Sequence, residues 1–210
     1  MSEQTFEQEI AARDRLYKAS AKRPEIVDVP AMSFLMVDGA GDPNTSQAYR
    51  DALEALYAVA YTLKFALKKA EGINYRVAPL EGLWWSDDMN AFQTGAKDTW
   101  LWTMMIAQPS IVTPAWVDKA MEEVQRKKAP VALPLLRFER FHEGLSAQIM
   151  HIGPYATEAP TIEKLHDFIH IEGGALTGRH HEIYLGDPRR AAPEKLKTVI
   201  RQPFVRPQVG

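Results

Sequence analysis

One ordering of elements occurs twice in this chain, and it constrains the fold more than any single motif. Phe34 to Leu80 runs apolar strand, glycine-containing loop, helix, glycine, strand pair, and Gln148 to Leu185 runs the same way. A unit of this kind cannot close a core alone, so it is expected to pack against its copy. In the first unit, Ala31 to Val37 reads as a strand closed by Asp38-Gly39-Ala40-Gly41-Asp42-Pro43. A helix follows, capped by Asn44 or Thr45, with Tyr49, Leu53, Leu56, Ala60, Leu63 and Leu67 at three- and four-residue spacing until Gly72. So long a helix must lie across a sheet to bury its stripe. Tyr75–Leu80, a Glu81-Gly82 turn and Leu83-Trp84-Trp85 come next, followed by a polar loop through Gly95 and the strand Thr99–Ala107.

Thr113-Pro114 opens a linker helix to about Lys128, with acids before bases along its dipole. In the second unit Leu136–Phe141 and Leu145–Ile152 flank the turn His142-Glu143-Gly144. Thr161–Ile171 is the helix, Gly173-Gly174 its stop, and Arg179–Leu185 a further strand. The expected division is an N-terminal helix and connector over 1–30 and one domain over 31–210. Repeat one covers about 31–110, the linker helix 113–129, repeat two about 133–188, and a C-terminal segment 189–210. The fold class is α+β, with helices on one face of an antiparallel sheet and a ligand cleft between the repeats.

Composition excludes several functions. The chain has 210 residues, 25 Lys+Arg against 27 Asp+Glu, and no cysteine. There is no disulfide framework, thiol nucleophile or cysteine-based metal site. A chain of this length buries roughly 70% of its surface on folding, so it needs no such staple. Glu54, Lys64 and Lys97 interrupt the apolar stretches, and the acidic N-terminus has no export pattern, so a cytoplasmic protein is expected, neither in nor on a membrane. A net charge of −2 argues against direct nucleic-acid binding. The stretch from Asp187 to Gly210 is locally +4, but its Leu196, Val199, Ile200 and Phe204 suit a tail docked on the body.

Two constellations could carry chemistry. In a strand at His180–Leu185, side chains alternate, so Ile183 and Leu185 share a face with His181, and Glu182 and Tyr184 share the other with His180. The apolar face is expected under a helix. Glu182 is then either a solvated strand residue or, if its face lines the cleft, the centre of a site. Trp84, Trp85, Trp100 and Trp102 fall in one strand pair, more indole than an ordinary core takes up; those not used in packing offer flat walls to planar or cationic ligands. All six histidines lie between His142 and His181, yet no HExxH pattern is present, and no metal is expected. Gly39-Ala40-Gly41 lacks the third glycine of a phosphate cradle, and no Gly-x-Ser-x-Gly elbow exists.

Met32 to Asn44, Tyr61-Thr62-Leu63-Lys64-Phe65, Leu80-Glu81-Gly82-Leu83-Trp84-Trp85 and His181-Glu182-Ile183-Tyr184-Leu185-Gly186-Asp187-Pro188-Arg189-Arg190 resemble the stand-alone GyrI-like small-molecule-binding proteins. The resemblance implies a duplicated strand–helix–strand–strand fold, shared with the effector-binding domains of multidrug-responsive transcription regulators. There an acidic residue in an aromatic cleft holds planar cations, which places Glu182 as the acid and Trp84, Trp85, Trp102, Tyr155 and Tyr184 as walls. It also implies, for some members, cofactor-independent hydrolysis of the cyclopropane of DNA-alkylating natural products, with Glu182 as base and Tyr184 or Tyr155 stabilising developing charge. The family's gyrase-inhibitor name adds a third role, as a protein–protein inhibitor, which no exposed apolar helix in the sequence supports. A xenobiotic or toxin resistance protein is the expected role, its partner an aromatic small molecule. A carboxylate walled by indoles loses solvation, so the pKa of Glu182 is expected to rise.

Overall fold

A computed structural model describes residues 3–86, 99–187 and 190–207. The chain forms two compact units, one of residues 32–141 and one of residues 1–31 with 142–210. The polar loop expected through Gly95 and the Pro188-Arg189 pair lie outside the described residues.

The first strand in chain order, β1 (Glu25–Val29), belongs to the discontinuous unit, and β2 (Met32–Ala40) opens the 32–141 unit. α2 (Gln47–Glu71), which follows the N-terminal α1 (Glu3–Leu16), is capped by Ser46, whose Oγ accepts from the Tyr49 N–H at 3.2 Å. The cap is therefore not Asn44 or Thr45. Those two residues are taken up in a turn around Asp42, which accepts from the backbone of both. Gly72 ends the helix at φ 70°, a left-handed conformation that glycine adopts without strain. Ala52, Leu56, Val59, Ala60, Leu63 and Leu67 are buried, and α2 packs on β2 and on β4 (Leu101–Gln108).

β3 (Leu80–Trp85) pairs with β4, β4 with β2, and β2 with β5 (Arg137–Phe141), all antiparallel. Glu81 and Gly82, expected as a turn, lie inside β3 opposite Met105 and Met104. The glycine serves packing rather than turning, since a Cβ on Gly82 would sit 2.8 Å from Nε1 of Trp84. α3 (Pro114–Lys127) starts where Thr113-Pro114 suggested and packs against α2.

In the other unit the order is β1, β6 (Gly144–Ile152), β9 (Lys197–Val205), β8 (His180–Tyr184), again antiparallel, with the short β7 (Ala175–Leu176) on the end of β9. α4 (Ala159–Ile171) covers one face, where Ala147, Ile149, Leu165, Ile169, Ile200 and Phe204 form a core. Tyr17, just past α1, covers the opposite face over Ile183 and Val199. Two stretches read as irregular are thus strands. β1 lies within the N-terminal segment over 1–30 read as a helix and connector, and β9 lies within the stretch read as a docked tail, where local charge masked an alternating pattern.

Both units trace one path: strand, helix, strand, then a strand inserted between the first and the third. The registers match as well. Gly39 pairs with Trp102 and Trp102 with Trp84, while His151 pairs with Thr198 and Thr198 with Tyr184. By this correspondence Gly82 stands where Glu182 stands, and Trp84 where Tyr184 stands.

Trp102 is fully buried, its ring lying across the bare Cα of Gly39 on the neighbouring strand. A methyl group at Gly39 would overlap that ring. Gly39→Ala is therefore expected to destabilise the protein by about 1–3 kcal/mol through overpacking, seen as a lower urea midpoint with an unchanged m-value.

Candidate functional site

β8 brings three polar side chains to one face. The Tyr184 hydroxyl donates to Glu182 Oε2 at 2.7 Å, and His180 Nε2 lies 3.1 Å from Glu182 Oε1. Glu158, buried at the start of α4, is among the side chains that hold this carboxyl below its usual range. Tyr155, in the turn before α4, meets Tyr184 edge-on with ring centroids 5.5 Å apart. That turn is held by His151 on β6, whose Nδ1 lies 3.0 Å from Thr161 Oγ1 and whose Nε2 lies 3.3 Å from Thr157 Oγ1 and from the Pro154 carbonyl. His166 on α4 interacts electrostatically with His180.

This arrangement reverses the expected facing of β8. Glu182 and Tyr184 lie on the face that carries α4, and the apolar face of Ile183 lies under Tyr17 instead. The reason is the second cover from the end of α1, which leaves the helix face free for polar groups. The direction of the Glu182 pKa is reversed too. Burial pushes the carboxyl up, but the hydrogen bond and charge of His180, with side-chain hydrogen bonding from Tyr184 and Glu158, outweigh it and hold Glu182 below the usual carboxylate range. Desolvation was readable from composition; the donors that offset it depend on tertiary placement. Glu182 keeps 14% of its side chain accessible, and Tyr155 is 38% exposed.

The tryptophans lie in the 32–141 unit. Trp84 stacks on Tyr49 of α2 at 6.3 Å and meets Trp100 edge-on at 5.8 Å, and Trp102 meets Tyr49 edge-on at 5.5 Å. Trp84 and Trp102 are buried among these rings and Gly39, whereas Trp85, the next residue of β3, is only half-buried. Of the expected walls, the structure therefore places Tyr184 on Glu182 with Tyr155 against Tyr184, and groups Trp84 and Trp102 with Tyr49. Sequence reading missed Glu158 and His151, and placed Tyr49 only in the stripe of the long helix. Glu158 has no local signature, because its significance comes from a partner on another element.

The opposite face of β8 is ionic. His181 Nδ1 lies 2.9 Å from Glu143 Oε1, and Arg201 Nη1 lies 3.0 Å from Glu143 Oε2. Arg201 also donates to Gln148 Oε1 and to the Leu16 carbonyl at 2.8 Å. All three side chains are buried. Burial pushes the Glu143 carboxyl up, but His181 and Arg201 more than compensate and lower it to about 2. Among the described residues no group of three or more His, Asp or Glu side chains is placed to hold a metal ion, and no helix is long and apolar enough to cross a membrane.

Because the folded state lowers the Glu143 pKa, its contribution to stability is complete above the unfolded carboxylate range and is lost as pH falls from about 4.5 towards 2. Wild type is expected to lose a few kcal/mol across this window by urea unfolding. Glu143→Gln should be less stable at neutral pH and lose less on acidification, since Arg201 is then buried without its counter-charge.

Comparison with known proteins adds relatives. The model of the GyrI-like small molecule binding domain matches residues 22–204. An uncharacterized conserved protein from Listeria innocua is 40% identical over 93% of this chain and 98% of its own, with a TM-score of 0.86. A hydrolase from Listeria innocua is 39% identical over 93% of this chain and 98% of its own, with a TM-score of 0.80. The EcmrR C-terminal domain, 11% identical over 88% of this chain and 98% of its own, shares the fold at a TM-score of 0.54. No curated protein matches the chain.

Proposed function

The chain belongs to the GyrI-like small-molecule-binding domain family, and from that membership we propose that it binds aromatic, cationic small molecules against the Glu182 carboxylate. The observation that carries this reading is a lowered, partly accessible carboxylate beside the Tyr155–Tyr184 pair. Donors from Tyr184 and His180 keep the charge on Glu182 and fix its oxygens. A cation entering the site therefore meets a ready anion and pays no cost to ionise it, while the tyrosine rings supply apolar and cation–π contact. The role that follows is capture of xenobiotic or toxic aromatic compounds.

A hydrolase is the second reading, favoured by the Listeria innocua hydrolase that is 39% identical over nearly the whole chain. In this reading Glu182 takes a proton from an attacking water, and Tyr184 or Tyr155 stabilises charge developing on the substrate. The cyclopropane of DNA-alkylating natural products is the strained electrophile we propose for it. A carboxylate held low is a weak base on its own, so this reading needs a further proton-holding group near Glu182.

Glu182→Gln separates the two. As a pure binder the variant should lose about 1–3 kcal/mol for planar cations and bind neutral analogues as wild type does, measured by calorimetric titration. As a hydrolase it should still bind a neutral cyclopropane substrate while turnover falls by about 10²–10⁴-fold, followed by chromatography of the ring-opened product. Cation affinity unchanged by the substitution would overturn the binding reading. Wild-type protein that binds the cyclopropane substrate without releasing ring-opened product would overturn the second.

A further inference from the structure

α2 has two apolar faces. One is the buried stripe of Ala52, Leu56, Val59, Leu63 and Leu67. The other is a row of rings at four-residue spacing, Tyr57, Tyr61 and Phe65, stacked one on the next with centroids 6.3 and 6.4 Å apart and planes 29° and 28° from parallel. With 3.6 residues to a turn, this spacing winds the row round to the side of the helix away from the buried stripe. Tyr61 is accordingly 45% exposed and Phe65 60% exposed. The expectation that no helix exposes an apolar face is thereby corrected. Rings already ordered against each other lose little freedom when a partner covers them, and an exposed aromatic row with a polar rim marks a protein contact.

The charges around the row indicate what covers it. Glu54 and Lys68 lie seven residues either side of Tyr61, two turns each way and therefore on its face, and Tyr57 and Phe65 lie four residues either side. Both Glu54 and Lys68 are exposed. Reading outward from Tyr61, aromatic is matched by aromatic and acid by base. A two-fold axis beside Tyr61 exchanges the two ends of such a pattern, so the face is complementary to itself.

We propose that α2 pairs antiparallel with α2 of a second copy of this chain. Tyr61 meets Tyr61 at the axis, Tyr57 faces Phe65, and Glu54 faces Lys68 twice over. A parallel pair would oppose Glu54 to Glu54 and Lys68 to Lys68, and a partner of one charge sign would suit one end only. Arg50 and Lys64, whose ammonium lies 5.9 Å from the centre of the Phe65 ring, complete the polar rim. The contact spans nearly four turns of one helix, which is small for a specific interface, so the dimer is weak, with a Kd of about 10–100 µM.

The test is the oligomeric state of the whole chain and its response to charge exchange. Sedimentation equilibrium of wild type between about 1 and 500 µM is expected to show a monomer–dimer equilibrium. Glu54→Lys sets like charges against each other at both ends of the contact, and so does Lys68→Glu, so each should weaken the dimer by about tenfold. Glu54→Lys combined with Lys68→Glu restores both pairs in the opposite sense and should return association to within about threefold of wild type. All four positions in the two chains are exposed, and far-ultraviolet circular dichroism checks that each variant is folded. Wild type that stays monomeric throughout the range overturns the proposal and leaves the aromatic row to a different protein. A dimer that both single reversals leave intact, or that the double exchange fails to restore, overturns it as well, since the chains then meet through another surface.

Discussion

The buried guanidinium of Arg201 fixes the strand on which the site depends. It joins Glu143, Gln148 and the Leu16 carbonyl on one face of β9, and the adjacent His181 of β8 completes the contact with Glu143. Side chains on a strand alternate, so slipping β8 by one residue would exchange the faces of His181 and Glu182. Such a slip would place His181 towards α4 and leave Glu143 and Arg201 facing a carboxylate, two acids to one base. The ionic cluster thereby sets the register, and the register puts Glu182 and Tyr184 on the face that carries α4, where Tyr184 meets Tyr155. A buried ion network is weak evidence for net stability, but specifying one arrangement over another is its best-attested use.

Equivalent positions in the two units have been put to different uses. Where one has Gly82 and Trp84, the other has Glu182 and Tyr184; where one has Gly39, the other has His151. In the 32–141 unit the glycines make room for large indoles, and the result is an aromatic core around Tyr49. In the other unit smaller rings and polar side chains leave hydrogen-bonding groups near the helix start. The same backbone path therefore serves packing in one half and chemistry in the other.

The parts of this protein that were legible in the sequence are those written in local periodicity. The stripe of α2, the proline start of α3 and the alternation of β8 are all present as expected. β1 was hidden because five residues with two acids do not stand out from a polar connector, and β9 because its buried Arg201 counted as surface charge. Glu182 and Tyr184 were readable as neighbours, since alternation puts them on one face. Which face, and how strongly the carboxyl is held, were not, because Tyr17, His180 and Glu158 act on it across distances that no local pattern records.

β1 and β5 each lead directly into one unit yet pair inside the other. β1 runs on into β2 but bonds β6, and β5 runs on into β6 but bonds β2. Seen from the ribosome, the 32–141 unit is one continuous stretch that can complete its sheet as soon as β5 emerges. β1 is made long before, and Glu25 must wait for Gln148, a separation of 123 residues. Closing so long a loop is slow, and an unpaired strand is a template for pairing with other chains. The two acids among the five residues of β1 work against that hazard, for like charges on a waiting edge discourage a second nascent chain from taking the place that β6 will fill.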